Sequence, residues 1–191
     1  MKLKQLVLAL MASALTATAF AAVDTYTIDP RHTFPSFEAD HMGLSVWRGK
    51  YLKTSGTITL DRAAKTGSVD ILIDAASIDF GLEAMNAHAR KDDIFDVAKY
   101  PEVRYKSKSI SFTGDVPTSI EGELTLKGVT KPLTLTINKF KCIMHPSLKR
   151  EVCGADASAT FNRADFGVTK GLPAFSPEVK LAIQVEAIKA N

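Results

Sequence analysis

Gly122-Glu123-Leu124-Thr125-Leu126-Lys127-Gly128-Val129-Thr130-Lys131-Pro132 decides how the rest of the chain is read. Leu124 and Leu126 alternate with Glu123 and Thr125, and Leu133, Leu135 and Ile137 continue the rhythm past Lys127-Gly128. An apolar residue at every second position marks a strand with one face buried and the other wet, because successive side chains leave opposite faces of a strand. Lys127-Gly128 supplies the turn between two such strands.

The same period extends in both directions. Val69, Ile71 and Ile73 alternate with Asp70 and Asp74, and Leu181, Ile183 and Val185 alternate with Gln184 and Glu186. Tyr105, Ile110 and Phe112 keep the pattern with one break in phase. Turn signals fall at Asp29-Pro30, Thr54-Ser55-Gly56, Lys65-Thr66-Gly67 and Thr113-Gly114-Asp115. The predicted strands are 24–29, 33–40, 44–61, 67–75, 102–113, 118–127, 131–143, 151–163 and 178–189. The long 44–61 segment is expected to bend near Gly49 or Gly56, since a glycine inside a strand often marks a kink. Eight or more strands joined by short links imply closure into an antiparallel up-and-down β-barrel. One stretch departs from the pattern: Leu82, Met85 and Ala89 share a helical face. A short helix over 82–91 is expected, capped by Gly81 or Asp79 and ending at Arg90-Lys91. No linker or repeat divides residues 22–191, so they read as a single domain.

Residues 1–21 read as a secretory signal peptide. Lys2 and Lys4 precede an apolar run from Leu6 to Leu15, and Ala19-Phe20-Ala21 offers small residues at a cleavage site. The run is shorter than the ~20 residues a bilayer span requires. Removing 21 of 191 residues leaves 170 and lowers the formal charge from +3 to +1. The expected location is the periplasm. No basic cluster interleaved with aromatics suggests nucleic acid, and no later stretch is apolar enough to cross a membrane.

Cys142 and Cys153 have ten residues between them. An even cysteine count in an exported chain suggests a disulfide, a local staple across a hairpin. Two free thiols are the alternative. A metal pair fits less well, because the spacing matches no zinc pattern and His145 is the one imidazole nearby.

Catalytic grammar is missing: no Gly-x-Ser-x-Gly elbow, phosphate-binding loop, dinucleotide fingerprint or His-Glu-x-x-His. His32, His41, His88 and His145 lie in separate segments. Asp92, Asp93 and Asp96 lack the glycine and distal glutamate of an EF-hand loop. Arg163 and Asp165, two apart at a strand end, are expected on one face, as an ion pair or as a grip on a polar head group. Phe34, Phe37, Trp47, Tyr51, Phe95, Phe112, Phe161 and Phe166 form an ample aromatic set. Such rings pack a core, or line a barrel wide enough to hold one small ligand.

An ordered series of short runs resembles the YceI-like family. It begins with Tyr26-Thr27-Ile28-Asp29 and His32, and passes through His41, Gly43, Gly49-Lys50-Tyr51 and Ser55-Gly56. Asp61, Asp74, Ser77, His88, Asp93-Ile94-Phe95-Asp96 and Tyr100-Pro101 follow. The series closes on the 122–132 run and on Asn162-Arg163-Ala164-Asp165-Phe166-Gly167-Val168. Thr33, Ala89 and Ile94 depart from the usual pattern of the family. The resemblance implies a lipocalin-like barrel with one or two short helices and an apolar tunnel. It also implies noncovalent binding of a polyisoprenoid, an isoprenoid quinone or a similar long amphiphile, without catalysis or a cofactor. On this reading those eight aromatics, Arg163 and Asp165 contact the ligand. A second subunit closing an open tunnel end would give a homodimer. Two other readings compete: an enzyme acting on a lipid-like substrate through Arg163, Asp165, His32 and His88, which requires those groups to converge, and a protein-interaction module of the cell envelope.

Overall fold

The computed structural model describes residues 23–191, so the expected signal peptide lies outside the described residues. In chain order the elements are β1 (Asp24–Ile28), β2 (Phe34–His41), β3 (Ser45–Tyr51), β4 (Thr54–Asp61), β5 (Thr66–Asp74), β6 (Ile78–Asp79), α1 (Glu83–Ala89), β7 (Glu102–Thr113), β8 (Val116–Leu126), β9 (Val129–Met144), β10 (Glu151–Asn162) and β11 (Glu178–Lys189). Every pairing is antiparallel. The order β1-β4-β5-β7-β8-β9-β10-β11 closes through β11 onto β1, giving an eight-stranded barrel. Closure leaves these strands without an open edge. Among the described residues no helix is long and apolar enough to cross a membrane.

One predicted strand takes two partners along one edge and another is broken in two. β11 meets β1 through Ala187–Lys189 and β2 through Val179–Gln184. Glu186 falls in the gap between them, and Thr33 fills it. The buried Thr33 hydroxyl donates to the Glu186 carbonyl and accepts from the Glu186 amide. The 44–61 segment breaks at Leu52-Lys53, between the two glycines expected to bend it. Ser77 sets the break. Its carbonyl accepts from Leu52 N–H and its hydroxyl from Lys53 N–H. The glycines have other reasons. Gly56 has φ +140°, and a Cβ there would lie 2.2 Å from the Asp70 carbonyl oxygen. At Gly49 a Cβ would lie 2.5 Å from Cζ of Phe37, so the missing side chain makes room for that ring.

The phase break between Tyr105 and Ile110 is a bulge. Ser107 pairs with Gly122 and Ser109 with Glu121, so Lys108 is the extra residue. The short helix is present, but Leu82 occupies its N-cap and no side chain caps it. Asp79 instead accepts from Gly81 N–H and from the Asn86 amide. Cys142 and Cys153 face each other across β9 and β10 and form the expected disulfide, S–S 2.03 Å.

Candidate functional site: an apolar tunnel through the barrel

The inward positions of the strands do not meet at the barrel centre. They surround a cavity of about 580 Å³, within the range of roughly 300–1,000 Å³ that holds organic ligands. Val179, Leu181, Ile183, Val185 and Ala187 of β11 all face it. The segment 179–187 that carries them spans ~26 Å along the strand, or about 20 Å along the axis at the usual strand tilt. The cavity is thus a tunnel, walled by aliphatic side chains from β4, β5, β7, β8, β9 and β11.

The lower end is closed by satisfied polar groups. Tyr26, fully buried, donates its hydroxyl to Glu151, and Arg62 donates to both oxygens of the same carboxylate at 3.2 and 3.3 Å. Burial, the bond to Glu151 and that negative charge all push the Tyr26 phenol upward in pKa. Cys153 lines the tunnel beside them, placing the disulfide at the floor. Among the described residues one trio of metal-ligating types gathers, Cys142, Glu151 and Cys153, and the disulfide occupies both sulfurs.

The upper end is aromatic. Rings follow one another along the wall: Tyr51 to Phe37 at 6.0 Å, Phe37 to Phe80 at 5.4 Å, Phe80 to Trp47 at 6.1 Å. His41 stacks on Trp47 at 4.6 Å and meets Phe175 edge-on at 5.0 Å. His41, Trp47, Met85 and Phe175 are only partly buried and mark the mouth. Two loops and α1 cover this end. Lys127 holds the 91–100 loop through the carbonyls of Asp92 and Ile94. Asp93 pairs with Lys170 at 2.9 Å, joining that loop to the 167–177 loop.

Of the residues singled out from sequence, Phe37, Trp47, Tyr51, Phe95, Phe161 and Arg163 line the tunnel. Phe34 does not. Strand alternation turns Pro35, Phe37 and Ala39 inward, and Phe34 lies with Lys50 Nζ 5.0 Å from its ring centre. Phe112 packs against the lower core cluster, and Phe166 is buried edge-on to Phe161 at 5.4 Å, supporting the wall from behind. Arg163 and Asp165 do not share a strand face, because Arg163–Phe166 is a 3-10 turn. Asp165 is exposed. Arg163 donates to the carbonyls of Val168, Lys170 and Ser176, so it stitches the 167–177 loop instead of pairing with Asp165. Burial lowers its pKa. Of the four groups named for an enzyme, Arg163 and His88 line the tunnel and the other two do not. His32 is 54 % exposed beside Asp29, His88 is at the mouth and Asp165 faces solvent.

Phe80, His41 and Phe175 were not singled out as wall residues. Phe80 and Phe175 come from connections with no period, so only their place in the fold reveals them. The aliphatic wall was visible in the alternation of 69–73, 133–137 and 181–185, though nothing in that rhythm distinguishes a tunnel from a filled core.

A closed eight-stranded antiparallel barrel around an apolar tunnel with a rimmed mouth defines a protein of the lipocalin-like binding class. Residues 26–187 match the model of the YceI-like domain, and the chain belongs to that family. A UPF0312 protein of Pseudomonas putida (strain W619) is 33% identical over 186 residues, covering 94% of both chains. Protein YceI of Salmonella arizonae is 32% identical over 182 residues, again covering 94% of each. Solved structures share the fold. BcnA of Burkholderia cenocepacia superposes with TM-score 0.68 at 23% identity, over 83% of this chain and 98% of that one. A polyisoprenoid binding domain from Saccharophagus degradans, implicated in plant cell wall breakdown, has TM-score 0.64 at 16% identity, over 86% and 98%.

Proposed function

We propose that the chain is a non-catalytic binding protein of the periplasm. It holds a polyisoprenoid, an isoprenoid quinone or a similar long amphiphile, as a carrier or sequestering agent. The observation that carries this reading is the tunnel itself: an aliphatic wall that runs from the mouth to the Tyr26–Glu151 floor. Burying methylene-like groups yields about 0.8 kcal/mol each, so a five-carbon isoprene unit contributes up to ~4 kcal/mol. Association costs roughly 4–15 kcal/mol. Several buried units therefore reach about micromolar affinity, near −8 kcal/mol. Such a site needs apolar length more than reactive groups.

The Cys142–Cys153 disulfide supports an oxidising compartment, and the signal-like residues 1–21 support export. The β2–β3 turn and the start of β3 expose Met42, Leu44 and Val46 next to His41 at the mouth. That apolar rim suits contact with a lipid surface during loading, or a second subunit that closes the tunnel.

Native mass spectrometry of the protein purified from periplasm, with organic extraction of its contents, tests the reading. A stoichiometric prenyl or quinone mass is the expected result. An empty protein that also refuses added prenyl lipids overturns it.

A further inference from the structure

Three tyrosines line the tunnel, and their hydroxyls have different fates. Tyr26 donates to Glu151. Tyr105 lies 3.0 Å from the carbonyls of Ile120 and Leu133, so its proton is committed to the barrel wall. Tyr51 is 8 % exposed and lines the tunnel; its hydroxyl makes no hydrogen bond to another described residue, yet it is not fully enclosed as Thr54 Oγ1 is, and burial pushes its pKa up. A phenol that opens on an apolar tunnel is a donor that an acceptor on a bound molecule can engage, worth about 0.5–1.5 kcal/mol net. Its position is not incidental. Tyr51 ends the file of rings that leads inward from Phe175 and His41 at the mouth. Beyond it most of the wall is aliphatic, and the two other tyrosines on it have their hydroxyls engaged.

The charges around the upper tunnel complete the picture. Arg163 and Lys170 are the lysine and arginine side chains on the wall among the described residues, and both are engaged. Arg163 is held by three carbonyls and Lys170 by Asp93. Asp40 adds a carboxylate near the mouth. An anionic head group drawn to Tyr51 would lose water without gaining an unpaired cation, which is unfavourable. A neutral oxygen acceptor has no such cost and satisfies the phenol.

We propose that Tyr51 is a hydrogen-bond donor subsite inside the tunnel, selecting amphiphiles whose head is an uncharged carbonyl, such as a ketone, amide or ester, over those with a phosphate. The inference rests on the reading of the cavity as a lipid tunnel, and deepens it by assigning the head-group chemistry.

Three probes of matched prenyl length separate the two ideas: farnesylacetone, the corresponding hydrocarbon, and farnesyl phosphate. The ketone is expected to bind roughly three- to tenfold tighter than the hydrocarbon, as one net hydrogen bond provides, with the phosphate weakest. Tyr51→Phe should collapse the ketone's advantage to near unity. The carbonyl stretch of the ketone bound to the unaltered protein should fall in frequency relative to the same ketone in hydrocarbon solvent, a readout that needs no variant to fold. Equal affinity for ketone and hydrocarbon with an unshifted carbonyl band overturns the subsite and leaves the tunnel reading standing. Preference for the phosphate also overturns the subsite. Binding of none of the three overturns the lipid-tunnel reading itself.

Discussion

The two ends of the barrel solve the problem of buried polarity in opposite ways. At the floor, each polar group meets a partner: Tyr26 with Glu151, Glu151 with Arg62, Thr33 with both backbone groups of Glu186. At the upper wall two hydroxyls stand unpartnered, Tyr51 and the enclosed Thr54 Oγ1. Buried polar groups in folded proteins are overwhelmingly paired. The lower end therefore behaves as a finished part of the fold, whereas the upper end carries a deficit that a bound molecule can repair. Under the proposed function the contrast would give the tunnel a direction, with the aliphatic tail down and the head group level with Tyr51.

The strongest way to break that contrast is to put a charge midway down the aliphatic wall. Ile183→Glu places a carboxylate where a tail would lie, and removing it from water carries a penalty of several kcal/mol. At least a hundredfold loss of prenyl-lipid binding is expected, measured as lipid recovered per protein in native mass spectrometry. An unchanged lipid load would mean that the ligand does not pass that level.

The floor is tested next by opening it. Cys142→Ser with Cys153→Ser removes a staple that closes a short loop, at an expected cost of about 3 kcal/mol. Urea denaturation of the oxidised protein and the double variant reads this directly. A smaller comparison uses the hydroxyls. Tyr26→Phe removes a donor from a carboxylate and should cost about 1–3 kcal/mol, while Thr54→Val should gain up to about 1 kcal/mol, because an orphaned buried hydroxyl disappears with little change of shape. If the two substitutions shift the melting temperature in the same direction, the contrast between the ends fails.

The least effect concerns acid. Asp29, at the break between β1 and β2, accepts from Arg31 and His32, and those bonds hold its carboxyl well below the usual carboxylate range. A group whose pKa is lower folded than unfolded contributes stability in full above its unfolded value, near 4, and loses it as the pH falls further. Stability should therefore decline below about pH 4, and Asp29→Asn should flatten that part of the profile. An unaltered acid limb would show that the Asp29 contacts are not worth more folded than unfolded.

Much of the barrel was legible one strand at a time. Alternation placed Val69, Ile71, Leu133, Leu135, Leu181 and Ile183 on a common face, and the break in phase between Tyr105 and Ile110 marked the stretch where the structure has a bulge at Lys108. The cysteine pairing was legible as well. The site was legible only in part. Phe37, Trp47 and Tyr51 were named on aromatic content, and that criterion cannot separate them from Phe34, which strand parity turns away from the tunnel. Arg163 was recognised as special, but for a pairing with Asp165 that its turn geometry does not allow.

Local rules thus determined what each residue faces relative to its immediate neighbours: the strand period, the turns, the helix at α1 and the family signature. Backbone geometry repeats over two residues or one helical turn, so a short window contains that information. Tertiary structure alone decided that β11 closes on β1, that the long strand bends at Leu52-Lys53 to suit Ser77, and that Phe80 and Phe175 join the file of rings ending at Tyr51. These outcomes depend on contacts between residues far apart in the chain. Whether a hydroxyl finds a partner and whether inward side chains fill the barrel or leave a tunnel are settled by all the strands together.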